Sequence, residues 1–149
     1  MIKLYLTAIL LVLTGCASVP LESPEESDRL KQFNPPTEGK AGLYIYRSGV
    51  FGGALKKNVY LNGECIGETA PNVFFYEEVD PDTEHKISTE SEFSDNDLVV
   101  QTEKDKLYFI EQFIKMGVFV GGAGVRLADE EKGKREISQT QLAVKGNCG

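Results

Sequence analysis

The chain has 149 residues, 41% of them hydrophobic and 26% charged, so it has the apolar content to bury one core of ordinary size but no length for a second domain. Its formal net charge of −7, carried without a lysine or arginine block, offers nucleic acid no electrostatic footprint and disfavours wide contact with anionic headgroups.

At the N-terminus, Met1-Ile2-Lys3 makes a short positive start, and the apolar stretch from Leu4 to Val12 is interrupted only by Thr7. Such a run is too short to cross roughly 30 Å of hydrocarbon as a lasting helix, but it suits the apolar region of an export signal. Leu13-Thr14-Gly15-Cys16 follows and resembles the lipobox of bacterial lipoprotein signals. There, small residues let the peptidase reach the bond before a cysteine already carrying a diacylglycerol thioether. The resemblance implies removal of residues 1–15 and a lipid anchor on Cys16. Loss of that segment takes away Lys3 and no acid, which leaves the remainder still more acidic. Each buried methylene contributes about 0.8 kcal/mol, so two or three acyl chains would hold the protein at the membrane essentially permanently. Residue 17 is Ala rather than Asp, which in a Gram-negative host implies sorting to the outer membrane, with the domain facing the periplasm. The competing reading is an ordinary secretory signal or a core helix in which Cys16 is incidental.

Residues 16–40 read as a tether, since they hold Pro20, Pro24, Pro35 and Pro36 and few large apolar side chains. Ser23-Pro24-Glu25-Glu26 forms a capping box, with a hydroxyl for the third helical N–H, proline at the first position and acids at the positive end of the dipole. A short helix from Pro24 to about Gln32 is expected, stopped by Asn34-Pro35-Pro36. As a free coil the 24 residues from Ala17 to Lys40 would reach about 25–30 Å; alternatively, Leu30 and Phe33 dock on the domain.

From residue 41 to 149 the periodicity turns to alternation, with β-branched and aromatic residues. Leu43 to Arg47, Asn58 to Leu61, Cys65 to Glu68, Val73 to Val79, His85 to Thr89, Leu98 to Thr102, Leu107 to Ile114 and Val118 to Leu127 are the predicted strands. Asn62-Gly63 suits the positive φ angles of a tight hairpin. Both faces of Leu107-Tyr108-Phe109-Ile110 are apolar, which predicts a central strand covered on both sides. The fold class expected is all-β: a small antiparallel β-sandwich of about seven or eight strands. A second short helix would start near Asp129-Glu130-Glu131 and run through Lys132, Lys134 and Arg135, an order of charge that a helix dipole favours, although Gly133 works against it.

The lipobox, Lys31-Gln32-Phe33-Asn34-Pro35-Pro36, Leu43-Tyr44-Ile45-Tyr46-Arg47 and Val59-Tyr60-Leu61-Asn62-Gly63 together resemble the family of domain of unknown function 2846. The resemblance continues through Leu107-Tyr108-Phe109 and Asp129-Glu130-Glu131-Lys132-Gly133, from Cys16 to about Cys148. The hairpin is also similar to the PEGA type of envelope β domain, although Asp80-Pro81-Asp82 lacks the glycine of that pattern. These resemblances imply location and fold; neither brings catalytic residues to carry over.

Cys65 and Cys148 either pair as a disulfide in an oxidising envelope or stay apart, with Cys65 packed as a small apolar residue and Cys148 in the tail. No Cys-x-x-Cys motif supports redox chemistry. His85 is the only histidine, and a zinc site would need three or four ligands with recognisable spacing. A Ser-His-Asp set can be written from Ser88, His85 and Asp80, but no strained nucleophile turn accompanies it. Glu90, Glu92, Asp95 and Asp97 lack the glycine of a calcium loop and read as a solvated acidic loop. Val118 to Gly124 is glycine-rich but leads into a strand, not into a phosphate-binding helix. Phe119 there and Phe51 in Phe51-Gly52-Gly53 are candidate contact loops, weighed against ordinary hairpin tips. The expectation is a non-enzymatic structural or interaction module of the cell envelope, with no metal, no cofactor and no catalytic residue. It would be held to a membrane by acyl chains and bind an envelope protein, but no nucleic acid. A module for a small ligand or cell-wall glycan, and a small hydrolase centred on His85, are the alternatives.

Overall fold

The computed structural model describes residues 15–91, 96–119 and 121–149. The stretch read above as an export signal, with Leu13 and Thr14 of the lipobox-like motif, Glu92 and Asp95 of the acidic stretch, and Val120 lie outside the described residues. The elements in chain order are α1 (Pro24–Leu30), β1 (Ala41–Arg47), β2 (Lys57–Leu61), β3 (Glu64–Thr69), β4 (Val73–Val79), β5 (Glu84–Thr89), β6 (Asp97–Gln101), β7 (Leu107–Lys115), β8 (Gly122–Ala128), α2 (Glu130–Ile137) and β9 (Gln141–Leu142). They form two sheets, one of five strands in the order β8-β7-β1-β4-β9 and one of four in the order β3-β2-β5-β6.

Alternation along the strands explains how the layers stack. Leu43 and Ile45 of β1, Phe75 of β4 and Ile110 of β7 face the second sheet, where they meet Val59, Ile66, Ile87 and Val100. Tyr44, Tyr46, Phe74 and Phe109 occupy the opposite face of the larger sheet and pack with Ile137 of α2, Leu142, Leu30 and Phe33. β1 is therefore buried along its whole length, and β7 lies between β8 and β1, covered on both faces near Phe109 and Ile110. The fold is the all-β sandwich with a helical cover on one outer face.

Two pairings depart from the antiparallel expectation: β1 runs parallel to β7, and β4 parallel to β9. A parallel partner needs a crossover connection, and here the chain makes it by building the second sheet before returning to β1. β9 is two residues long, too short for alternation to announce it.

Local signals act as the sequence indicates. Asn62 and Gly63 have φ of 51° and 84°, and the turn joins β2 to β3. Ser23 Oγ accepts from Glu26 N at 3.2 Å at the start of α1. Asp129 Oδ1 does the same for Lys132 N at 2.8 Å at the start of α2. Gly133 has a packing reason: a Cβ there would lie 2.5 Å from Cβ and Cγ of Phe109, so glycine lets α2 rest directly on β7.

Of the two arrangements open to residues 16–40, the structure has the docked one. Val144 N donates to Pro20 O at 2.9 Å and Glu22 N to Leu142 O at 2.9 Å. Leu142 N donates to Ser27 Oγ at 3.2 Å. The Tyr44 hydroxyl donates to Leu30 O at 2.8 Å, and the Phe33 ring meets Tyr44 edge-on at 5.3 Å. A free coil would leave these donors and the apolar faces of Leu30 and Phe33 in water.

Candidate functional site

Because β1 and β7 are parallel neighbours, their C-terminal ends point the same way, and the segments that follow them, 48–56 and 116–119, emerge side by side. Arg47, the last residue of β1, is 1% exposed. Its guanidinium donates to Leu55 O at 2.6 Å and Gly52 O at 2.8 Å, so the arginine sits inside the first loop and holds its shape. Burial pulls its pKa below the usual arginine range, and among the described residues no carboxylate pairs with it; carbonyl dipoles satisfy the guanidinium instead. Gly52 has a φ of 67°, and a Cβ on it would lie 2.7 Å from Ile114 Cγ2. Only glycine allows this loop to lie so close to the end of β7.

With its backbone tied inward, the loop turns its apolar side chains out. Phe51 is 63% exposed, Met116 87% and Phe119 82%, with Val50 and Val118 exposed beside them. Phe51, Leu55, Ile114, Met116 and Phe119 line one groove of about 290 Å³. The structure thus brings the two candidate contact residues, Phe51 and Phe119, to a single surface. Cys16 joins them: it is exposed, Ala17 N donates to Gly53 O at 2.7 Å, and a Cβ on Gly53 would lie 3.9 Å from Cys16 Sγ.

The other sequence-derived candidates go elsewhere. Cys65 and Cys148 are joined as a disulfide with a Cα–Cα distance of 6.1 Å, tying the C-terminal tail to β3. His85 is buried. Its Nδ1 lies 3.0 Å from the Asn62 side-chain amide and its Nε2 2.8 Å from Asp80 O, so one tautomer engages both nitrogens and fastens two turns together. Glu90 Oε1 accepts from Asn58 N at 3.1 Å, and Asp97 faces Lys86 Nζ at 3.6 Å. Among the described residues no group of three or more His, Cys, Asp or Glu side chains could hold a metal ion, and no helix is long and apolar enough to cross a membrane.

Several polar groups were not legible as sites because their partners are remote in sequence. Gln112 bridges the two sheets, accepting from the Thr69 hydroxyl and donating to Thr89 Oγ1 at 2.7 Å. Glu111 takes both Nε and Nη2 of Arg126, at 2.9 and 3.1 Å, and Lys132 Nζ at 2.7 Å. Burial alone would raise the Glu111 pKa, but the two cations outweigh it and hold the carboxyl below its usual range. A second groove, of about 500 Å³, runs between α1 and the β4–β9 edge and includes Glu22, Arg29, Tyr76 and Lys145.

The architecture is that of a small, disulfide-closed β-sandwich domain with a helical cover and one apolar loop end. Residues 37–123 match the family described as protein of unknown function (DUF2846), and the chain belongs to that family. The match spans β1 to the start of β8. A protein of Haemophilus influenzae (strain ATCC 51907 / DSM 11121 / KW20 / Rd), described as uncharacterized, is 53% identical over 136 residues, which cover 91% of this chain and 80% of the relative. No solved structure matches the chain significantly.

Proposed function

We propose that this protein is a cell-envelope lipoprotein, acylated at Cys16 and sorted to the outer membrane, whose sandwich acts as a non-enzymatic structural or interaction module. The observation that carries the reading is the coincidence of the Leu13-Thr14-Gly15-Cys16 motif with an exposed Cys16 Sγ at the apolar end of the fold. The thiol is open to transfer of a diacylglyceryl group that makes the thioether, and the chain leaves the domain where a membrane would be met. The engagement of both His85 nitrogens by structural partners favours a module over a hydrolase. The mixed polar groove of Glu22, Arg29, Tyr76 and Lys145 is where the alternative, a small-ligand or glycan module, would bind. Titration of cell-wall glycan fragments that shifts the amide resonances of its lining would favour that alternative.

The test is the mass of the protein purified from membranes. An N-terminal Cys16 carrying two or three acyl chains, and a Cys16→Ala variant that keeps residues 1–15 and gains no acyl mass, are the expected results. A mature chain starting elsewhere, or an unmodified Cys16, would sink the proposal. Cross-linking of the acylated protein in intact cells then identifies its envelope partner.

A further inference from the structure

We infer that loops 48–56 and 116–119 enter the boundary between headgroups and acyl chains of the bilayer that holds the anchor, so that the sandwich stands on the membrane on its Cys16 end. The inference rests on the acylation reading for the placement of the anchor, and on independent features of the surface for the contact itself. Eight large apolar side chains are exposed among the described residues, and five of them, Val50, Phe51, Met116, Val118 and Phe119, lie on these two loops. Single exposed apolar residues need no explanation, whereas a contiguous set marks a contact surface.

What identifies the occupant as lipid is first of all where the chain enters. The Ala17–Gly53 hydrogen bond fixes the acyl attachment point at the rim of the same end, so the membrane is within reach of the loops without any extension of the chain. In a protein of net charge −7, the stretches 48–57 and 115–121 themselves contain Lys56, Lys57 and Lys115 and no acid, and the Glu90 carboxylate that reaches this end is engaged by Asn58 N at 3.1 Å. Lys115 Nζ also donates to Asn96 Oδ1 at 2.7 Å. Lysines around an apolar tip can keep their ammonium groups among phosphates while their stems follow the apolar side chains inward. The first loop is already set by Arg47 and Gly52, so inserting it would require little ordering.

The chain has no tryptophan, which makes single-tryptophan reporters clean. Phe51→Trp, Phe119→Trp and, as a control, Leu127→Trp would be placed in the full acylated protein. Position 127 lies five residues along β8 from Gly122, about 17 Å from the loop end at 3.4 Å per residue. Each variant, checked for native circular dichroism, is reconstituted in vesicles of phosphatidylethanolamine and phosphatidylglycerol with and without brominated acyl chains. Expected are blue-shifted emission and several-fold stronger quenching at positions 51 and 119 than at 127, with a depth of about 5–10 Å. Equal quenching at all three positions overturns the inference. So does a blue shift at 51 and 119 without quenching, which would mean that a protein partner or a second copy covers the loops. The mass of the same preparation separates the two readings. Acyl mass without quenching leaves the anchor standing and removes the loop contact; quenching of an unacylated chain by added vesicles does the reverse.

Discussion

Glu111 sits under α2 with two cations on one carboxylate, and its depressed pKa ties the stability of the protein to acid pH. A carboxyl held lower in the folded chain than in the unfolded one stabilises the fold above the unfolded value and loses that contribution as pH falls through the folded value. The urea midpoint is therefore expected to drop as pH falls below about 4.5, and Glu111→Gln should flatten that part of the profile. At neutral pH the substitution should cost about 1–2 kcal/mol, a charge-assisted hydrogen bond reduced because Arg126 is half exposed. A Gln variant with unchanged acid sensitivity would show that Glu111 is not the group responsible. Three phenols, Tyr44 and Tyr46 buried and Tyr76 half-buried, respond at the other end of the scale. Burial pushes Tyr44 up to about 12 and raises Tyr46 and Tyr76 further, with Glu136 adding to the first and Glu78 to the second. Groups with raised folded pKa values stabilise fully below their unfolded values and lose that contribution above them. Phenolate absorbance should show these three tyrosines still protonated when exposed ones have ionised, with unfolding favoured as pH climbs above about 10.

At the scale of elements, periodicity and punctuation in the sequence were sufficient wherever the determinant is local. The eight longer strands, the Asn62-Gly63 turn and both helices follow from alternation, positive-φ residues, the Ser23 cap and the charge order from Asp129 to Arg135, although β8 begins at Gly122 and not at Val118, where the sequence predicts its start. What could not be read was contact between distant segments. Gly133 counts against a helix by propensity, yet it is required there because Phe109 lies directly beneath. Gly133→Ala accordingly pits two effects against each other: a gain of up to about 1 kcal/mol in helix propensity and a cost of about 1–3 kcal/mol for overpacking. With an approach of 2.5 Å to Phe109, the overpacking should win. Urea denaturation of the variant should give a lower midpoint, and a higher one would mean that α2 is free to lift off the sheet. The same limit applies to the apolar end. The likeness of the two aromatic-Gly loops suggests Phe51 and Phe119 as a joint contact site, but what brings them to one surface is the parallel β1–β7 pairing and Arg47, neither of which leaves a mark in local pattern.

For the molecule as a whole, the disulfide decides how the C-terminus behaves. Cys65 and Cys148 are 83 residues apart, so the bond closes most of the sandwich into one loop, and the chain-entropy account assigns it on the order of 4 kcal/mol. Cys148→Ser, or reduction, should lower the unfolding free energy by an amount of that order while the far-ultraviolet circular dichroism stays native. A loss close to zero would mean that the cross-link restricts the unfolded chain little, the folded tail being held also by the Asn58–Gly149 contacts.

The packing of residues 17–33 along the domain removes nearly all slack between Cys16 and the fold. A protein on a loose leash sweeps a hemisphere and can greet partners far into the aqueous space. One acylated at Cys16 and folded like this would patrol a plane, sliding laterally at fixed height with the same side always upward. Its encounters would be confined to molecules that share that plane or dip down to it, and the two-dimensional crowding of the membrane would set how often they meet.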